Sequence, residues 1–193
     1  MQAQLTANDI ACRRGERLLF KGLSLACAPG QSLQVTGSNG VGKSSLMRIL
    51  AGLSRPFHGT VSSNGAIGLV DENLALDAHL PLGKALAFWE RIDGCSDPHR
   101  AFEVLQLGEL LDVPVRYLST GQKKRAALAR LLNRNCSIWL LDEPLNGLDT
   151  QARKSVETLI ALHCEGGGIA VVASHQQVAL PAAQALAIED YAS

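Results

Sequence analysis

Residues 37–45, GSNGVGKSS, fit the pattern GxxxxGK[S/T], and few stretches of this length restrict a fold as tightly. A triphosphate needs several backbone N–H groups converging on it with no side chains in the way, and Gly37, Gly40 and Gly42 supply that freedom. Lys43 is placed to reach the β- and γ-phosphates as a point charge, and the Ser44 hydroxyl to take one coordination position on Mg²⁺. The flanks agree. Ser32 to Thr36 reads as a short buried strand, and Leu46, Ile49, Leu50 and Leu53 recur at helical spacing, with Gly52 and Pro56 ending the run. Strand, glycine loop and helix N-terminus, in that order, make a nucleotide site in an α/β fold.

The second informative stretch is Ser137 to Leu141, a continuous apolar run that ends in Asp142, Glu143 and Pro144. Buried charge is costly unless paired or bound to metal, so acids at the end of a core strand point to a site at the carboxyl edge of a parallel sheet. Asp142 is expected to hold Mg²⁺, directly or through water, and Glu143 to act as general base on the attacking water. Asn146 to Asp149 closes that loop, and Thr150 to Cys164 reads as a helix stopped by Gly166 to Gly168. Ile169 to Ala173 is a second buried strand ending in Ser174 and His175. Because His175 follows its strand as Asp142 follows another, its imidazole is expected to contact the γ-phosphate.

Elsewhere the signals concern organisation. Leu18 to Phe20, Leu23 to Leu25 and the turn Pro29-Gly30 predict a small strand-rich lobe, which Gly59 to Val61 and Ala66 to Val70 are expected to complete. Leu82, Leu86 and Trp89 form one helical stripe and Phe102, Leu105 and Leu110 another, with a break at Gly94 to Pro98. YLSTGQ, residues 117–122, leads into the helix pattern KKRAALARLLNR. Lys123, Lys124 and Arg125 then fall in a first turn that is already positive, which favours either a nearby anion or a solvated basic face beside a capping Ser119. Histidines 58, 79, 99 and 163 are expected in loops or on helix surfaces, with no role.

The eighteen Lys and Arg balance eighteen Asp and Glu, so there is no overall electrostatic argument for nucleic acid or an anionic membrane surface. The five cysteines have no CxxC pair and no ligand-like spacing, and read as reduced, cytosolic and structural. Gln2, Asn8, Asp9 and Arg13 interrupt any N-terminal signal core, and no apolar run approaches the length of a membrane span.

Taken together, GSNGVGKSS, LSTGQ, LLDEP, NGLD and SH resemble, in order and approximate spacing, the nucleotide-binding subunits of ABC transporters. The resemblance covers nearly the whole chain. It implies one domain over residues 1–193, a P-loop NTPase core of the RecA-like type with a small antiparallel β lobe and a helical insert over about residues 80–135. It assigns Gly37, Ser38, Asn39, Gly40, Val41, Gly42, Lys43, Ser44 and Ser45 to the Walker A loop, Asp142 and Glu143 to Walker B and its catalytic base, Asp149 to the D-loop and His175 to the switch histidine. Ser119, Thr120, Gly121 and Gln122 match the signature motif, with Thr120 where the common form has glycine. Their counterparts in the family complete the ATP site of a second subunit packed head to tail, which accounts for a helix start that attracts anions.

Two departures stand out. No aromatic residue occurs at Cys12 to Arg14, where the family stacks adenine, although the Arg14 guanidinium could stack there. The glutamine expected after Ile67 to Val70 is replaced by Glu72 or Asn73, either of which could ligate Mg²⁺ through oxygen. Within the family, VTGSNGVGKSSLMRILAGLSRP, LSTGQKKRAALARL and WLLDEPLNGLD, with no further domain expected beyond Tyr191, most resemble the haem-exporter ATP-binding subunits of cytochrome c maturation systems. That implies an ATP- and Mg²⁺-dependent motor working with integral-membrane permease subunits, peripheral at the cytoplasmic face of a bacterial inner membrane, with Glu72 to Trp89 docking on the membrane partner. Without a Cys-Pro motif or paired histidines, haem binding by this chain is not expected. The other readings are a motor for another small solute and a soluble ABC ATPase acting on ribosomes or DNA damage; a single cassette of zero net charge argues against the latter. A catalytically inactive subunit is disfavoured by intact Lys43, Asp142, Glu143 and His175.

Overall fold

The computed structural model describes residues 2–94 and 99–192. Two apolar pentapeptides set its centre. The strands β6 (Ile138–Asp142) and β7 (Ile169–Ala173) are buried along their whole length, as expected for parallel strands covered on both faces. With β3 (Ser32–Thr36), β5 (Ile67–Val70) and β8 (Ala183–Ala187) they form a five-stranded parallel sheet in the order β5-β6-β7-β3-β8.

Alternation along these strands divides the interior in two. Ile138, Leu140, Ile169 and Val171 point to one core, which they share with helix α1 (Lys43–Leu50) and the β lobe. Trp139, Leu141, Ala170 and Val172 point to the other, shared with helices α2 (Leu82–Asp93), α3 (His99–Val104), α4 (Thr120–Asn133) and α5 (Thr150–Glu165).

The lobe is an antiparallel sheet of β1 (Gln4–Arg14), β2 (Arg17–Cys27) and β4 (His58–Asn64), in the order β2-β1-β4. Here the sequence expectation needs correcting, because Ile67–Val70 does not join it. Close packing at a glycine accompanies the placement. Gly68 packs so tightly that a Cβ there would lie 2.1 Å from Leu131 Cδ1 and 3.2 Å from Cys136 Sγ, an approach that carries β5 alongside β6.

The expected stripes in the insert are observed: Leu82, Leu86, Phe102 and Leu105 are buried in the second core. Trp89 is only half-buried and carries the Arg130 guanidinium 3.5 Å from its ring centroid, tying α2 to α4. Gly94, in the left-handed region, ends α2; the remainder of the expected break, with Cys95, lies outside the described residues. Cys12, Cys27, Cys136 and Cys164 are buried free thiols.

His163 corrects another expectation. It lies half-buried on α5, stacked on Trp139 with ring centroids 3.9 Å apart and an 8° interplanar angle, its Nε2 3.2 Å from the Ile169 carbonyl oxygen. Burial lowers its pKa, so the neutral imidazole is the form that suits this site.

Candidate nucleotide and metal site

The loop after β3 turns through Gly37, Gly40 and Gly42, all at positive φ, before α1 begins at Lys43. Space at Gly42 is tight as well, since a Cβ would sit 3.1 Å from Phe20 Cδ1. Ser38, Asn39, Gly40 and Val41 form the exposed or half-exposed rim, with Ser45 at the first turn of α1 near the Cys12 thiol. Lys43 folds inward, 7% exposed, and donates to the carbonyl oxygens of Gly37 at 2.6 Å and Ser38 at 3.2 Å.

Asp142 and Glu143 emerge from β6 into the space facing this loop. Asp142 is 7% exposed, and burial pushes its carboxyl pKa up against the opposing effect of a hydrogen bond from the Ser44 side chain. Its Oδ1 is buried with no hydrogen-bond partner. A buried carboxylate oxygen left without a donor, beside a hydroxyl, is a donor set that fits a hard divalent cation, whose charge would remove the desolvation penalty.

Glu143 adopts φ 47°, in the left-handed region that non-glycine residues seldom enter, while its N–H donates to the Ala173 carbonyl at 2.8 Å. Its carboxylate reaches across the sheet edge. Oε1 lies 3.9 Å from Lys43 Nζ, and both oxygens lie 3.0 Å from His175 Nδ1. The His175 backbone N–H donates to Oε1 at 3.2 Å, and its Nε2 lies 3.2 Å from the Gln176 side-chain amide nitrogen. His175 is therefore held on Glu143, an arrangement the sequence reading missed when it directed the imidazole at a phosphate alone.

Between Ser44, Asp142, Glu143 and the chain after β5 lies a cavity of about 290 Å³. Asp71 and Glu72 line it, whereas Asn73 lines a separate groove with Leu53 and Arg130 and donates its N–H to Asp71 Oδ1 at 2.8 Å. The choice left open between Glu72 and Asn73 thus favours Glu72 as the residue facing the site. Asp71 was not foreseen. It follows β5 directly, level with Asp142 at the end of β6, and the same argument would have found it had Ile67–Val70 been assigned to the parallel sheet.

Lys124 was also misjudged. α4 begins at Thr120, so Lys123, Lys124 and Arg125 start one turn later than expected, and Lys124 is buried rather than part of a solvated face. Its ammonium donates to the carbonyl oxygens of Asp142 at 3.2 Å and Asp71 at 3.5 Å. Burial lowers its pKa despite the opposing pull of Asp142, Asp71, Glu143 and Glu72.

Of the four signature residues, only Thr120 lines this cavity. Ser119 and Gln122 form a capping box: Ser119 Oγ accepts from the Gln122 N–H at 3.2 Å, and Gln122 Oε1 accepts from the Ser119 N–H at 2.8 Å. Gly121 abuts the loop after β6, where a Cβ would fall 2.3 Å from the Gly147 carbonyl oxygen. Asp149 caps α5, accepting from the Ala152 N–H at 2.8 Å. On the lobe, Arg14 is exposed at the end of β1, while Arg13 stacks 4.6 Å above the exposed Phe57 ring.

With this geometry in hand, comparisons with known proteins are informative. The sequence profile described as "ABC transporter" matches residues 20–146. A protein of Novosphingobium aromaticivorans named "Cytochrome c biogenesis ATP-binding export protein CcmA" is 57% identical over 97% of this chain and 96% of that protein. Proteins of the same name from Zymomonas mobilis, at 46% identity over 98% of this chain and 86% of theirs, and Sphingopyxis alaskensis, at 48% over 94% of each, are similar too. Among solved structures, the chain is similar to an inward-facing metal-chelate-type ABC transporter, with TM-score 0.80 and 24% identity over 98% of this chain and 81% of that one. It is also similar to an ABC transporter ATP-binding protein of Pyrococcus furiosus, with TM-score 0.83 and 19% identity over 98% of this chain and the whole of that one. Those two likenesses concern the fold.

Proposed function

The chain belongs to the ABC transporter ATP-binding family, within its group of cytochrome c biogenesis export proteins, and we propose that it is the ATP-hydrolysing motor of a haem exporter acting in c-type cytochrome biogenesis. The observation that carries the catalytic part is the contact between Glu143 and His175 at the edge of the phosphate loop.

ATP binds with its phosphates in the loop from Gly37 to Ser45, where glycine backbone N–H groups and the N-terminus of α1 meet negative charge. Lys43 keeps two of its three protons on loop carbonyls and offers the third to the phosphates. Ser44 and Asp142, with Glu72 in reach, would hold Mg²⁺, which supplies charge neutralisation on the phosphate oxygens. Glu143 takes the proton of the attacking water. His175 fixes the carboxylate in place, and the strained backbone of Glu143 sets its direction. Asp149 caps α5 and so fixes the end of the loop that carries Glu143, while Gly147 of that loop packs on Gly121 of the signature helix.

Ser119, Gly121 and Gln122 stand outside the cavity that contains Ser44 and Asp142, which supports their acting on the ATP of a second subunit in a head-to-tail homodimer. Among the described residues no helix is long and apolar enough to cross a membrane. The export-protein relatives support a chain that works with integral-membrane permease subunits, peripheral at the cytoplasmic face of the inner membrane. The groove edged by Asn73, Leu74, Ala75 and Leu76, near the exposed Phe88 and Ile92 of α2, suits docking of that partner.

The test is a pull-down of the tagged protein from detergent-solubilised bacterial membranes. Recovery of haem-handling membrane subunits, held more tightly by Glu143→Gln, is the expected result. Recovery of an unrelated permease or of ribosomal proteins instead would discard the cytochrome c assignment.

A further inference from the structure

The peptide unit that joins Gly37 to Ser38 is held at both poles. Its carbonyl accepts from Lys43 Nζ at 2.6 Å, and its N–H donates to a carboxylate oxygen of Glu189. Glu189 belongs to the short 3₁₀ turn Ile188–Tyr191 that follows β8, far from the loop in the chain. The turn is seated against the loop: Ile188 is fully buried, and a Cβ on Gly37 would lie 2.6 Å from Ile188 Cγ2 and 2.9 Å from Glu189 Oε2. Gly37 itself has φ 152°, a backbone conformation that side chains rarely adopt.

The bond to the Ser38 N–H holds the Glu189 carboxyl below its ordinary pKa, with the Lys43 charge adding to that effect. The carboxylate is exposed, and it and the lysine bond opposite ends of the same peptide unit. A carboxylate on the N–H pole polarises the peptide and points the Gly37 carbonyl at the Lys43 ammonium. That carbonyl and the Ser38 carbonyl, 3.2 Å from Nζ, fix where the remaining ammonium proton points.

We propose that Glu189 is a positioning residue for nucleotide binding: by gripping the Ser38 N–H it orients the Gly37 carbonyl and, through it, aims Lys43 at the phosphates. The proposal rests on the phosphate loop taking ATP. Nothing in the loop motif contains or requires Glu189, so the constraint comes from a distant turn of the chain.

The experiment is equilibrium binding of ATP with Mg²⁺ to the full chain, in four proteins: native, Glu189→Ala, Lys43→Ala and the double variant, with Glu189→Gln as control. Glu189→Ala is expected to weaken ATP binding about fivefold, the usual worth of one hydrogen bond. Glu189→Gln keeps an acceptor oxygen for the Ser38 N–H and removes a negative charge near the phosphates, so it restores native affinity or exceeds it. In the Lys43→Ala background the Glu189→Ala effect should vanish, since the residue it acts through is gone. The loss should appear in KM for ATP more than in kcat, because Glu143 and His175 are untouched.

If both Glu189 variants bind ATP more tightly than the native chain, the carboxylate merely repels phosphate and the proposal is overturned. An equal loss with and without Lys43 overturns it as well, by making the role a structural one. If Lys43→Ala binds ATP like the native chain, the phosphate-loop reading fails instead. Should Glu189→Ala not fold, Glu189→Asp takes its place: one methylene shorter, it withdraws from the Ser38 N–H and carries the same expectation.

Discussion

Where β6 ends, Asp142 Oδ1 is buried without a partner and Glu143 sits at φ 47°, its carboxylate shared between Lys43 and His175. Where α4 begins, Ser119 and Gln122 satisfy each other's backbone N–H groups and Gly121 closes on Gly147 without a gap. The two places flank the same loop and treat polar groups in opposite ways. The first leaves a buried carboxylate oxygen unpaired, a cost that a bound cation would offset, and holds Glu143 in a backbone conformation that non-glycine residues seldom adopt. The second is complete in itself, so its helix N-terminus is rigid before any ligand arrives and can be presented to another surface. Under the proposed function, this difference is the one expected between residues that do chemistry in their own chain and residues that complete the site of a second subunit.

The strongest way to break that contrast is Glu143→Gln. Loss of the base is expected to lower ATP turnover by about 10²–10⁴-fold, with ATP binding retained and a closed dimer accumulating on size exclusion in Mg²⁺-ATP. Turnover equal to the native rate would remove Glu143 from the chemistry.

Gly121→Ala tests the other side. A methyl group placed 2.3 Å from a backbone carbonyl oxygen obliges helix and loop to separate. Overpacking of this kind costs about 1–3 kcal/mol, read as a shift of the urea midpoint, and the effect on turnover should exceed that on stability if the loop carries Glu143. An unchanged midpoint would mean the contact between the two regions yields freely.

Ser119→Ala removes one half of the capping box and is expected to cost about 1 kcal/mol, again by urea unfolding, while ATP affinity of the monomer is preserved. A loss of monomer affinity would show that the signature residues act on their own chain's nucleotide.

The smallest effect belongs to a region remote from both, and sharpens the contrast by showing a charge-averse site with no ligand to relieve it. His163 has a folded-state pKa below the ordinary 6.5 because burial disfavours the imidazolium. The unfolded chain therefore takes up the proton more readily, so this contribution to stability is full above about pH 6.5 and is lost as pH falls towards the lower folded value. Comparing native protein with His163→Phe, which retains a ring against Trp139, should show a shallower decline in the variant between about pH 7.5 and pH 5.5; identical declines would place the effect in other groups.

Much of the site was legible because its local chemistry is unusual. A glycine loop between a strand and a helix, and an apolar strand that stops at two carboxylates, are each hard to reconcile with packing alone, and both took up the expected places. The capping role of Ser119 was equally readable, since it depends on residues only three apart. The misplacement of Ile67–Val70 had a wider consequence. A four-residue apolar run has no periodicity that tells an antiparallel lobe from a parallel sheet, and with its sheet went the meaning of Asp71. Lys124 and His163 were misjudged for a related reason: a lysine near a helix start and a histidine on a helix look solvent-facing until their neighbours are known.

By itself, then, the sequence determined the local features that depend on neighbours along the chain: the glycine loop between β3 and α1, the strand that delivers Asp142 and Glu143, the caps of α4 and α5. Backbone conformations and hydrogen bonds spanning a few residues are encoded by those residues. Tertiary structure alone decided which distant groups meet: His175 on Glu143, Lys124 on the carbonyls of Asp71 and Asp142, and Glu189 on the Ser38 N–H. Those contacts depend on the order of strands in the sheet and on how closely Gly68, Gly121 and Gly37 let neighbouring segments approach, and no local pattern of residues specifies either.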